Sequence, residues 1–355
     1  MQPIELLSER LVEEAYFLQA SDIHIIPQAN HAHIHYRIDH AIRESRKINK
    51  QVSQRLISHF KFLASMDIGE RRKPQNGVLS VSTQKLNVHL RLSTLPTVYE
   101  ESLVIRILPQ EKVPSFQYLS LFPSTSKKIL SLLNHSHGLI IFTGPTGSGK
   151  TTTLYSLLQY AKKHFHRNII TLEDPVESKN EDVLQVQVNE KAGITYSTGL
   201  KAILRHDPDI IMVGEIRDSE TAQIAVRAAL TGHLVLSSMH TRDAIGAVHR
   251  LLEFDVRLSE IEQTLLALAA QRLVDLACPF CIGECSPYCK KMRKNRKVSV
   301  YELLYGKNLS NVLKKVRGDE GEFHYPLLKD VIRKGIALGY LNPAIYHKWV
   351  IHHGD

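Results

Sequence analysis

No apolar run in this 355-residue chain approaches the length needed to span a bilayer. The longest candidate, TLLALAA (Thr264 to Ala270), is followed at once by Gln271 and Arg272. The stretch MQPIELLSER lacks the basic-then-apolar order of a secretory signal. Cysteine is scarce: the 4 present all fall between Cys278 and Cys289, which argues against a disulfide framework and for a metal site in a reducing compartment. No internal repeat is detectable, and a composition of 43% hydrophobic and 23% charged residues leaves no disordered bulk. The expectation is a soluble cytoplasmic chain, long enough for two domains.

Acidic residues are outnumbered, 36 against 45 basic, for a net charge of +9. That surplus suits a nucleic acid, an anionic membrane surface, or solubility alone. The basic residues are dispersed apart from KKMRKNRK (Lys290 to Lys297), so charge by itself gives weak warrant for direct DNA binding.

ELLSERLVEEAYFLQ (Glu5 to Gln19) has the apolar spacing of an amphipathic helix. DIHIIP and HAHIHYRID follow as alternating strands. In the second, His31, His33 and His35 share one face while Ala32, Ile34, Tyr36 and Ile38 share the other. Histidines at period two are compatible with a metal, but a solvent-facing stripe is the simpler expectation. A helix (QVSQRLISHFKFLASM), a turn-rich GERRKPQNG and three further strands complete an α+β domain over 1–110. EKVPSFQYLSLFPSTS, 111–126, contains prolines and no clear period and reads as a linker. Over 127–355, helices alternate with near-continuous apolar strands (GLIIFTG, NIITLED, DIIMVGE, HLVLSSMH), the pattern of a parallel sheet covered on both faces.

GPTGSGKT fits the phosphate-loop pattern, with an apolar strand before it and a helix after it. Gly144, Pro145, Thr146, Gly147, Ser148, Gly149, Lys150, Thr151 and Thr152 are therefore the expected nucleotide-binding run. Glycines let backbone N–H groups converge on phosphate oxygens, and the helix N-terminus adds positive potential. Lys150 should reach the β- and γ-phosphates of ATP, and the Thr151 hydroxyl should ligate Mg²⁺. Glu173 and Asp174 end a second apolar strand, and Glu215 ends a third. In a parallel sheet ligands gather at the carboxyl ends of strands, so these groups face the same phosphates. Glu215 is expected to orient or deprotonate the attacking water, and Glu173 to support Mg²⁺ through a bound water. A helix cap or loop carboxylate is the plainer alternative for Glu173 and Asp174. His240 falls at the carboxyl end of a strand, where a γ-phosphate sensor would sit. His233, at its start, reads equally as a capping or core histidine.

Together these segments resemble the secretion ATPase superfamily that powers type II secretion and type IV pili. ITLEDPVE is similar to its aspartate box, DPDIIMVGEIRD to its atypical Walker B strand and TGHLVLSSMHT to its histidine box. ASDIHIIP, ERRKPQNG, RLSTLP and AAQRLVDLACPFC extend the likeness over most of residues 20–285. The resemblance implies a RecA-like P-loop α/β domain preceded by a smaller α+β, PAS-like domain. It places the family's catalytic glutamate on Glu215 and its aspartate-box glutamate on Glu173. It also implies that Arg91 and Arg106, within the pattern Arg91, Ser93, Pro96, Glu101, Arg106, reach nucleotide bound between the two domains.

Cys278, Cys281, Cys285 and Cys289 could close a tetrahedral, structural Zn²⁺ knot, with unligated thiols as the alternative. Such a cysteine motif is common in assembly members of the superfamily. KVSVYELL matches the family's following segment only loosely, with Lys297 and Ser299 at positions usually taken by arginine and glycine. The compact form, without the longer docking domain of many assembly ATPases, is similar to the competence ATPases of Gram-positive bacteria, whose pseudopilus takes up transforming DNA. The resemblance thus implies a cytoplasmic homohexameric motor, peripheral at the membrane, driving a polytopic inner-membrane platform protein. An assembly ATPase for another secretion or pilus system, a helicase-like DNA motor and a nucleotide-binding scaffold are the alternatives.

Overall fold

A computed structural model describes residues 3–38, 41–82, 87–109, 114–281, 289, 296–320 and 322–351. The chain divides into two units, Met1–Lys112 and Val113–Asp355. Among the described residues no helix is long and apolar enough to cross a membrane.

Unit 1 is built on a six-stranded sheet of order β3-β2-β1-β6-β5-β4. Its elements are α1 (Ile4–Phe17), β1 (Asp22–Pro27), β2 (His31–Ile38), β3 (Ala41–Asn49), α2 (Lys50–Leu63), β4 (Gln75–Ser82), β5 (Asn87–Pro96) and β6 (Glu101–Pro109). Neighbouring strands are antiparallel. Leu11, Val12 and Ala15 of α1 recur at helical spacing and are buried with Leu56, Ile57 and Phe60 of α2. They cover Ile23, Ile25, Ala32, Ile34, Leu90, Leu92, Leu103 and Ile105 on one sheet face. The Asn49 side chain starts α2 by accepting a hydrogen bond from the Val52 N–H. Because side chains alternate across a strand, His24, His31, His33 and His35 fall on the face opposite the helices. They are half-buried there, so the expected solvent-facing histidine stripe is not what forms.

One ion pair is sealed inside unit 1. Lys61 is 1% exposed and Glu101 6% exposed. The Lys61 Nζ donates to the two Glu101 oxygens at 3.0 and 3.1 Å and to the Glu70 carbonyl at 2.7 Å. The pair ties α2, the start of β6 and the GERRKPQNG turn together, which gives Glu101 of the family pattern a structural role.

Unit 2 contains a seven-stranded sheet of order β13-β12-β7-β11-β10-β8-β9. Before the sheet comes α3 (Pro123–Leu132), and then β7 (Gly138–Thr143), α4 (Lys150–Phe165), β8 (Ile169–Glu173) and β9 (Leu184–Gln187). These are followed by α5 (Tyr196–Ile203), β10 (Ile210–Val213), α6 (Ser219–Leu230), β11 (Leu234–Met239), α7 (Ala244–Glu253) and α8 (Leu258–Thr264). The chain continues through β12 (Leu265–Asp275), β13 (Lys297–Tyr305), α9 (Gly306–Arg317) and α10 (Leu328–Ala337). All pairings are parallel except β12 with β13. Every residue of β7, β8, β10 and β11 is buried, as a sheet covered on both faces requires. Ile140, Phe142, Ile210 and Met212 pack under α3 and α4, while Leu139, Ile141, Ile211 and Val213 pack under α5 to α8.

The expected linker over 111–126 is corrected. From Pro114 onward the segment is part of unit 2. Phe116 is 1% exposed in the core beneath α4. The Ser156 hydroxyl donates to the Pro114 carbonyl at 2.6 Å, and Leu119 and Leu121 exchange backbone hydrogen bonds with Ser299 of β13. Prolines mark a segment that cannot join a ladder fully, but here its apolar residues are anchored to the domain surface.

Replacing Lys61 with Met leaves the Glu101 carboxylate buried without its cation. Unit 1 should lose about 3–5 kcal/mol of stability, read by calorimetry as an earlier transition of the full chain, and a second change, Glu101→Leu, should recover most of it. A Lys61→Met transition unmoved from wild type would refute the buried-pair assignment.

Candidate active site

β7 delivers the chain into GPTGSGKT, and the loop closes on α4, whose first residue is Lys150. Two glycines are needed here for different reasons. A Cβ on Gly144 would come within 2.5 Å of the Gln271 carbonyl, so the approach of β12 leaves no room for a side chain. Gly147 has φ 79° and nothing within 4 Å of where a Cβ would lie, so the exposed crest of the loop stands open. Thr151 and Thr152 follow on the first turn of α4, half-buried and exposed respectively. The Ser148 hydroxyl is buried with no hydrogen-bond partner among the described residues.

Lys150 is folded onto its own loop. Its Nζ donates to the Gly144 and Pro145 carbonyls at 2.8 and 3.2 Å. Burial pushes the ammonium down to about 8; Glu215 opposes that shift, Arg272 adds to it and Glu177 opposes it. A cation held this far from water is primed for an anion.

Glu215 follows Gly214 at the carboxyl end of β10. The tip is pinned by two serines of β11: Ser237 Oγ donates to the Val213 carbonyl at 2.8 Å and Ser238 Oγ to the Gly214 carbonyl at 2.7 Å. The Glu215 side chain is 17% exposed, with Oε1 3.2 Å from His240 Nε2 and Oε2 2.8 Å from an Arg217 nitrogen. His240 follows the last residue of β11. Burial, then Lys150, lowers its pKa, with Glu215 opposing, which favours the neutral ring. Lys150, Glu215 and His240 therefore form one connected electrostatic group at the carboxyl edge of the sheet.

Glu173 ends β8 as expected. It is 3% exposed and accepts hydrogen bonds from Tyr155 Oη, from Thr171 Oγ1 at 2.7 Å and from Gln185 Nε2 at 3.2 Å. Burial raises its pKa, and those donors work against the shift. Two of these donors fall on Oε1 and one on Oε2, so the carboxylate is held in place while Oε2 keeps acceptor capacity. Asp174, beside it, is exposed, with Oδ2 4.0 Å from an Arg217 nitrogen.

His233 lies at the other end of β11. It precedes Leu234, which pairs with Gly138 at the start of β7, and its Nδ1 sits 3.0 Å from the Ala228 carbonyl at the end of α6. It is a capping histidine. The sheet carries it away from the phosphate loop, so a catalytic part is not supported.

Arg91 and Arg106 belong to unit 1, directly opposite each other on β5 and β6, and both are exposed. Arg106 Nε lies 3.0 Å from Asp22 Oδ1. Like charges facing across a ladder repel, so the pair favours an added anion. The sulfurs of Cys278, Cys281 and Cys289 lie within 4.8 Å of one another, Cys278 and Cys289 at 3.3 Å. Soft thiol donors converging in this way fit Zn²⁺. Cys285, and 290–295 of the basic run, lie outside the described residues.

Glu177, Arg217, Gln271 and Arg272 were not singled out as site residues in the sequence. Glu177 acts electrostatically on Lys150, as does the buried Arg272, whose guanidinium donates to the Gln271 and Arg242 carbonyls at 2.9 and 2.7 Å. Gln271 Nε2 donates to Ser299 Oγ at 2.9 Å and lines the back of the loop at Gly149. The available signal was position: Glu177 closes ITLEDPVE, and Gln271 and Arg272 interrupt an apolar run.

Residues 1–336 match the family described as Type II/IV secretion system protein. The chain is 65% identical over 356 residues to "Competence protein ComGA" of Bacillus subtilis (strain 168), covering 100% of both chains. It is 44% identical over 280 residues to "Type II secretion system protein E" of Klebsiella pneumoniae, covering 79% of this chain and 56% of that protein. Among solved structures, the pilus retraction motor PilT with bound ADP superposes with a TM-score of 0.72 at 27% identity, covering 98% of this chain and 96% of that one.

The Lys150 ammonium sets a pH dependence. Its folded-chain value, about 8, lies below its unfolded one, so between the two the unfolded chain holds more protons. The stability penalty is therefore present below about pH 8 and fades as pH rises towards that of an ordinary lysine. A bound polyphosphate favours the charged form. Nucleotide affinity, measured by fluorescent-nucleotide titration, should accordingly fall as pH rises above about 8, by up to about tenfold per unit. A flat profile across that range would contradict it.

Proposed function

The chain belongs to the type II/IV secretion system protein family, and from that premise we propose that it is an ATP-hydrolysing motor driving assembly of a competence pseudopilus for DNA uptake. The observation that carries this reading is the group formed by Lys150, Glu215 and His240 at the mouth of the phosphate loop. Its assignment to competence rests on the full-length identity to the Bacillus subtilis relative.

In this reading Lys150 leaves the Gly144 and Pro145 carbonyls for the β- and γ-phosphates of ATP, and the backbone N–H groups of 144–152 cradle them. Thr151 would hold Mg²⁺, and Glu173 would support it through a bound water. Glu215 orients and deprotonates the attacking water, and the neutral His240 donates a hydrogen bond that reports on the γ-phosphate. Asp174 and Arg217 balance charge at the rim. Arg91 and Arg106 are the cations that unit 1 offers the polyanion. The motor works as a homohexamer, peripheral at the cytoplasmic face of the membrane, on a polytopic platform protein that adds pilin subunits. Zn²⁺ bound by Cys278, Cys281, Cys285 and Cys289 braces the segment between β12 and β13.

Glu215→Gln keeps the hydrogen-bonding shape but removes the base. Phosphate release should fall by about 10²–10⁴-fold while nucleotide affinity stays within a few-fold of wild type. Turnover equal to wild type would remove Glu215 from the mechanism. For the cysteines, the chain freed of loosely held metal should retain about one zinc by elemental analysis, and Cys278→Ser with Cys281→Ser should lose it. Equal zinc in that variant and wild type would overturn the assignment.

A further inference from the structure

We propose that His33, His35 and Glu44 of unit 1 form a second metal site, one that takes a borderline divalent ion such as Zn²⁺ or Ni²⁺ and clamps β2 to the edge strand β3. The three donor atoms lie within 4.8 Å of one another. Tetrahedral donors about 2.0–2.1 Å from a zinc ion stand about 3.3 Å apart, so donors already within 4.8 Å of one another are close to ligand spacing. Two imidazoles and a carboxylate suit zinc or nickel better than magnesium or calcium, which prefer oxygen.

A break in β-sheet register assembles the set. Along β2 and β3, Ile34 is opposite Arg46 but His35 is opposite Glu44, so Ser45 is an extra residue in β3. Residues directly opposite each other share a face. Without the bulge, Ser45 would face His35 and Glu44 would point to the helix-covered side. The bulge re-aims the carboxylate onto the histidine face.

The surrounding contacts are those a ligated imidazole needs. His33 Nδ1 lies 3.1 Å from Glu44 Oε1, while its other nitrogen, Nε2, lies 3.0 Å from His31 Nε2. With a metal at Nδ1, the His33 Nε2–H donates to His31, the outer contact that fixes a ligating ring's tautomer. The His33 and His35 rings are stacked, with centroids 5.7 Å apart and planes 9° apart. Among the described residues, His35 Nδ1 is buried without a hydrogen-bond partner, and so is Nε2 of His24, the register neighbour of His35 on β1. A buried ring nitrogen without a partner costs free energy unless something binds there or beside it. The His33 side chain is 13% exposed and the Glu44 side chain 48% exposed, so an ion enters past the carboxylate.

The test uses the full chain with its cysteine site zinc-loaded and excess metal dialysed away, titrated calorimetrically with Zn²⁺ and, separately, Ni²⁺. One further equivalent should bind, and it should persist in Cys278→Ser. His33→Ala with His35→Ala should weaken it by at least about 100-fold, and His31→Ala by about 10–100-fold through loss of the outer contact. Glu44→Gln, at an exposed edge position that folding tolerates, should weaken it by about tenfold and so keeps the test decisive if the double variant misfolds. Absence of a further equivalent in wild type would overturn the proposal, as would equal affinity in the Glu44→Gln and His31→Ala chains. Equal affinity in a folded double variant would assign the binding to other histidines and overturn it equally.

Discussion

The active region depends on an ammonium group kept out of water at the mouth of a glycine loop. Lys150 is 8% exposed, and among the described residues two backbone carbonyls hold it by hydrogen bonds. Carbonyl dipoles and a nearby carboxylate stabilise the charge less well than a triphosphate does, so the site is electrostatically incomplete until an anion arrives. The neighbouring groups follow from this. Glu215 opposes the depression of Lys150, and Lys150 in turn lowers the pKa of His240, so the charge on Lys150 bears on the protonation of His240. Arg217 then spans from Glu215 towards Asp174, limiting repulsion between two acidic strand tips.

Geometry at this edge comes from the sheet, not the loops. β7 is an interior strand flanked by β11 and β12, and the wholly buried β7, β11, β10 and β8 give the tips a rigid base. Thr143 at the end of β7 shares a 2.7 Å hydrogen bond with Thr241, and Ser237 and Ser238 fasten β11 to the end of β10. Side-chain hydroxyls thus continue the ladder past the point where backbone pairing stops, where the reacting groups stand. Unit 1 uses a different device: the buried ion pair of Lys61 with Glu101 joins a helix to the sheet and a turn. Such a pair costs desolvation, and it fixes one arrangement among the several that apolar packing alone would allow.

Much of this was legible in the sequence because it depends on local patterns. The phosphate loop has its own signature, and four apolar strands ending in polar residues predicted both the parallel sheet and the edge that carries the site. Other features depend on tertiary contacts that a pattern does not encode. LLALAAQRL has the composition of a helix, yet it is β12, lying against β7 where flat, small side chains fit between buried neighbours. Glu173 was located correctly at a strand tip, but Tyr155 and Gln185, distant from it in the chain, join Thr171 in deciding where its carboxylate turns. The histidines of β2 alternated as expected, and the bulge that brings Glu44 to them leaves no mark in the sequence.

The glutamate after β10, where nucleotide-hydrolysing strands commonly end in aspartate, follows a closely packed glycine. The strand stops at Gly214, and a Cβ there would lie 3.3 Å from Tyr196 Oη and 3.4 Å from the Leu172 carbonyl. A side chain at 214 would stand in tight contact with β8 and α5, and the carboxylate that the strand offers comes one residue later. From 215 the chain has already left the ladder: the Ile216 N–H bonds to the Ser238 carbonyl and not to β8. The extra methylene of glutamate restores the reach that the later position takes away. It brings the carboxylate between His240 and Arg217, beside Lys150, while the tight packing of β10 against β8 is preserved.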